Sequence, residues 1–154
     1  MAGPAVAITG LRASLDLEAA ARRELRVRVE AAVVRVSPAG LAALAPPDME
    51  LEGIRGDRVI VRWKAFTAEV LLEGTAVGTL CLRCTALRAG FLPVPAEALG
   101  LALGFLTKTE GIRAVDGRTF DLDLQRLARP FGVELPPLER VVVEPEGVTL
   151  RFSD

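Results

Sequence analysis

From Arg58 to Leu87 apolar and polar side chains alternate with a period of two, and no other signal in the chain constrains its fold as strongly. Successive side chains of an extended strand point to opposite faces, so the alternation predicts sheet with one buried face and one wet face. Val59, Val61, Trp63 and Ala65 share one side, with Arg62 and Lys64 on the other. After Phe66 the phase flips, and Phe66, Ala68, Val70 and Leu72 carry the apolar side. One long bent strand pair or a bulged strand accounts for that flip. Gly74 and Gly78 bracket a turn, after which Leu80, Leu82, Cys84 and Ala86 fall in phase on a strand over 79–87.

The flanking regions read in the same grammar. Residues 1–13 are expected to be a flexible or edge segment of a single domain spanning 1–154. Ser14 is placed to cap a short helix over 14–24, with acids early and arginines late as the helix dipole favours. Leu25, Val27, Val29 and Ala31 then alternate with Arg26, Arg28 and Glu30, and the apolar phase slips near Val33-Val34, which predicts a bulge or the end of pairing. Ser37-Pro38 supplies an N-cap with proline at the first helical position, opening a helix to about Leu44 that Pro46-Pro47 stops. Residues 49–55 read as a strand and Gly56-Asp57 as a turn. Farther on, Asp116-Gly117 is expected to turn a hairpin between 112–115 and 118–120. Asp121 or Asp123 caps a helix through Leu127 that Pro130 and Gly132 end, and Pro145-Glu-Gly147 turns a last hairpin. The sum is α+β: about seven strands, in a strongly curved, mainly antiparallel sheet wrapped around or packed on one apolar helix, with two or three short helices.

Chemistry is scarce. The chain has no histidine, tyrosine or asparagine, and Gln125 is its one side-chain amide. Without histidine, a Ser-His-Asp or Cys-His arrangement within one chain is impossible. An enzyme built from these residues would rely on carboxylates, Lys64, Lys108 or a cysteine, so a non-catalytic protein that needs no cofactor is expected. A net charge of −1 provides no global field for nucleic acid or an anionic surface. The dearth of lysine and amides fits codon bias or adaptation to heat. The N-terminus lacks the basic and continuous apolar regions of a signal peptide, and no stretch approaches the roughly 20 apolar residues of a membrane span. A cytoplasmic protein is the resulting expectation, with a previously removed export signal as the alternative.

Each polar constellation has a structural explanation. Cys81 and Cys84 form a C-x-x-C, but residues three apart on a strand point to opposite faces, and no histidine or third cysteine completes a zinc site. Cys84 is expected to be buried and Cys81 more exposed, the alternative being zinc shared across a dimer. Asp116, Asp121 and Asp123 serve turn and cap chemistry, although two acids also suit glycoside hydrolysis or a hard cation. Arg22, Arg23, Arg26 and Arg28 are interleaved with Glu18, Glu24 and Glu30 and lack stacking aromatics, as on a solvated face.

Apolar surface is what remains. Hydrophobic residues make up 51% of the chain, more than its turns and wet faces account for. After Pro95 a helix to Leu106 is expected whose Leu99, Leu101, Leu103, Phe105 and Leu106 leave no polar face, so that it is buried or lines something apolar. Val36-Ser-Pro-Ala-Gly-Leu41, the strands over 58–88, the apolar segment after Phe91-Leu-Pro-Val-Pro95, and Gly117-Arg-Thr-Phe-Asp-Leu-Asp-Leu124 leading to 138–150 have a recognisable cadence. In that cadence the chain resembles a bacterial group allied to the tubular lipid-binding superfamily, including the lipomannan-elongation-factor type. The resemblance implies a curved sheet around a long helix, an apolar groove for acyl chains, and work outside the cytoplasm. From the residues, the expected function is binding of a lipid or other apolar ligand in a groove between sheet and helix. Trp63, Phe66, Leu80, Leu82, Leu103 and Phe105 are the candidate lining. The alternative is an assembly subunit, such as a homodimer, in which the apolar helix forms the interface.

Overall fold

The computed structural model describes residues 5–45, 48–98 and 110–153. In chain order its elements begin with β1 (Val6–Leu15), α1 (Leu17–Ala21), β2 (Val27–Val36) and α2 (Pro38–Leu44). Then come β3 (Met49–Arg55), β4 (Arg58–Trp63), β5 (Phe66–Gly74), β6 (Leu80–Ala89) and β7 (Leu92–Val94). After residue 110 follow β8 (Ile112–Asp116), β9 (Thr119–Leu122), α3 (Leu124–Ala128) and a 3-10 turn (Arg129–Phe131). The chain closes with β10 (Val133–Glu134), β11 (Leu138–Glu144) and β12 (Gly147–Ser153). The class is α+β, dominated by antiparallel strands. Among the described residues, twelve strands replace the expected seven or so, and they form two sheets.

The first sheet has the order β1-β2-β12-β11, with β10 pairing in parallel beside the start of β2. The second runs β3-β4-β5-β6-β9-β8, with β7 beside the far end of β6. Each sheet is therefore organised on one long strand, β2 or β6, whose second edge is shared by two shorter partners.

Several local expectations shift. Asp16, not Ser14, caps α1, its carboxylate accepting from the N–H groups of Glu18 and Ala19 at 3.0 and 3.1 Å. Ser14 is instead paired with Arg28 in β1, an edge strand, because pairing with β2 satisfies backbone groups that a helix start at Ser14 would forfeit. The phase slip of β2 lies at Glu30, where Arg12 opposes Ala31 and Ala13 opposes Val29. The long strand expected after Arg58 is two strands. Lys64 and Ala65 turn between β4 and β5, Lys64 taking a left-handed φ of 54° where glycine or asparagine is usual. The flip in phase at Phe66 is thus a reversal of the chain. Ala86 leaves the face shared by Leu80, Leu82 and Cys84 because Thr85 is an inserted bulge residue, its hydroxyl donating to the Glu69 carbonyl at 3.3 Å. Gly117 and Arg118 turn the β8–β9 hairpin, one residue later than expected. Ser37 caps α2 with Pro38 at its first turn, as its sequence predicts, and of the two candidates Asp121 and Asp123 it is Asp123 that caps α3. The apolar helix expected over 95–106 lies beyond Ala98 outside the described residues.

Register across the second sheet aligns the apolar positions into rows. Leu51, Val61, Ala68, Leu87 and Val94 form one row, and Leu72, Leu82 and Phe120 another nearer the opposite end. That opposite end is closed by the first sheet. Leu80, Leu138 and Phe152 are its buried centre, surrounded by Val34, Leu72, Leu82, Leu122, Leu124, Val141 and Leu150. A polar clamp joins the sheets beside this core. The Leu138 N–H donates to the Gly78 carbonyl at 3.1 Å, and Gln125 Nε2 donates to Gly78 O at 3.2 Å and to Pro136 O at 2.9 Å. Gly78 has φ +82°, and a Cβ there would stand 2.6 Å from Pro137 Cβ, so the approach of the two loops requires glycine.

Candidate functional site

The apolar face of the second sheet changes character along its length. Around its middle, Ala68, Cys84 and Leu87 are buried, with Phe66, Val70, Val94, Ala96 and Ala98 packed on them. The last row, Met49–Trp63–Phe66–Ala89–Leu92, crosses five strands at the far edge. Its first four members are half-buried and Leu92 is 70% exposed. Trp63 stacks on Phe66 with ring centroids 6.2 Å apart, and Lys64 Nζ lies 4.8 Å above the Trp63 ring. The adjacent hairpin turns at Gly90, where φ is +63°, and presents Phe91 wholly to solvent.

Four of the six predicted lining residues, Trp63, Phe66, Leu80 and Leu82, lie on this one face. They form two groups, not one lining. Phe66 and Leu72, the neighbour of Leu82, are six residues apart on β5, roughly 20 Å at the rise of a strand. Leu80 and Leu82 belong to the closed core; Trp63 and Phe66 belong to the open end. Leu103 and Phe105 lie outside the described residues. The sequence reading missed Met49, Phe91 and Leu92. The Gly90 turn between an alternating strand and Pro93 is the available signal for the last two.

Polar groups are occupied locally. Asp116 Oδ1 accepts from the Arg118 N–H at 2.9 Å, which holds its carboxyl below the usual range. Asp121 pairs with Arg113 at 3.0 Å, and Asp123 caps α3. Cys81 opposes Glu73 and Cys84 opposes Val70, so the two thiols point to opposite faces and cannot grip one ion together. Both are buried, Cys81 at 8% exposure and Cys84 at 1%. Burial pushes both thiols up; the charge of Asp121 adds to this at Cys81. Arg26 of the basic cluster meets Glu24 at 3.7 Å on the surface.

A cleft of about 420 Å³ opens between Asp48, Glu50, Arg62 and Lys64 on the side of the open end. Arg62 holds Glu50 and, at 3.8 Å, Glu52; its guanidinium is driven up by the Glu50 contact. A second, of about 270 Å³, lies between β1, β2 and the β11–β12 turn, lined by residues including Arg35, Ser37, Glu144 and Glu146. Both carry charged walls. Among the described residues no helix is long and apolar enough to cross a membrane. No protein-family model matches the chain, and neither a characterised protein nor a solved structure matches it.

Proposed function

We propose that the chain is a non-catalytic binding protein that holds a lipid or other apolar ligand against the open half of the second sheet. The observation that carries this reading is the gradient along one face. Apolar rows continue past the buried Ala68–Cys84–Leu87 centre to half-buried Trp63 and Phe66 and on to Leu92, which is 70% exposed. Ligand sites are lined mainly by such residues, with few polar groups. The cadence shared with tubular lipid-binding proteins favours the same class of ligand. In this reading Trp63 and Phe66 touch the ligand, together with Leu103 and Phe105 from the segment that follows, while Leu80 and Leu82 support the wall. Trp63 is the single tryptophan, so its emission reports directly on occupancy. A long-chain fatty acid added below its micellar concentration should shift that emission, and native mass spectrometry should show a one-to-one adduct. A chain that shows neither adduct nor shift would end the proposal.

An assembly subunit is the second reading, favoured by β1. This edge strand leaves Val6, Ile8, Leu11 and Leu15 46–56% exposed, an arrangement that natural sheets usually cover. Its sequence suits antiparallel pairing with a second copy about the Gly10-Leu11 bulge. Val6 would then oppose Leu15, and Ile8 would oppose Ala13, with Thr9 against Arg12 and no like charges facing. Light scattering should give a dimer that Ile8→Lys converts to monomer. A monomer at all concentrations would remove this reading.

A further inference from the structure

We draw no further inference here: the strongest candidate, the surface patch at the end of the first sheet where Leu17, Leu25 and Phe131 stand 63–77% exposed beside Arg22, Arg23 and Arg129, carries nothing, because Asp16, Glu18 and Glu24 interleave the arginines and nothing in the structure shows what covers the apolar side chains.

Discussion

The two ends of one apolar face behave as opposites although they are built from the same alternation. At the closed end Leu80 of β6 is only 8% exposed, because the first sheet lays Leu138 of β11 and Phe152 of β12 against it, themselves 3% and 4% exposed. At the open end Leu92 and Phe91 are 70% and 102% exposed. Neither residue type nor strand propensity separates the ends. The separation comes from the clamp at Gly78, Gln125, Pro136 and Leu138, which fixes the first sheet over one end only. A face of fixed period thus becomes core where a second layer meets it, and among the described residues its other end stays partly exposed.

The sharpest way to break this comparison is to hollow out the closed end. Phe152→Ala should cost about 3–5 kcal/mol, the range for a buried aromatic that leaves a cavity, read as a fall in urea midpoint at unchanged slope. A loss under about 1 kcal/mol would mean that the sheets do not share a core there. Next in size is the clamp. Gln125→Leu should cost about 1–3 kcal/mol, since it strips the donor from the buried Pro136 carbonyl while the Leu138 N–H still serves Gly78 O. A wild-type melting curve would show that the sheets are held without it.

How much of this was legible depended on whether neighbours in sequence decided the outcome. Ser37-Pro38, Gly56-Asp57, Asp123 and the Pro145-Glu146 turn were readable because each acts through local backbone chemistry. So was the in-phase set Val59, Val61, Trp63 and then Phe66, Ala68, Val70. The reversal at Lys64-Ala65 was hidden because neither residue is a turn former; the stacked Trp63–Phe66 pair and nine paired residues of β5 hold Lys64 at positive φ. Division into two sheets was hidden for another reason. It depends on Gln125 reaching 47 residues back to Gly78, and no periodicity encodes that distance. For the same reason the sequence placed Leu80 and Leu82 beside Trp63 and Phe66. Alternation names the face and leaves the position along it open.

The paired thiols sharpen the comparison from inside. Cys84 lies in the buried middle between the two ends, donating its thiol to the Ala86 carbonyl at 3.3 Å, and Cys81 lies on the opposite face. Burial raises both above the ordinary value of 9.0, so the folded protein resists ionisation where the unfolded chain ionises freely. The unfolded state therefore releases more protons above that value, and stability should be constant below it and decline as pH climbs past it. Cys84→Ala and Cys81→Ala should each flatten that decline. Labelling by a disulfide reagent at pH 8 should follow unfolding, with Cys81 reacting first; rapid labelling of Cys84 in the native state would show that the middle of the face is open.

The smallest expected effect is the most telling for the open end. Phe91→Ala removes an aromatic side chain as large as that of Phe152, yet it should change stability by no more than about 0.5 kcal/mol. Phe91 buries no area in the folded chain, so its loss removes no transfer free energy and leaves no cavity. Phe66→Ala, one row inward and stacked on Trp63, should fall between the two, because part of its surface is already covered. The series Phe152, Phe66, Phe91 therefore measures how the same side chain passes from core to surface along one molecule. A substantial loss at Phe91 would mean that the free chain covers it in solution, and the contrast between the ends would fall.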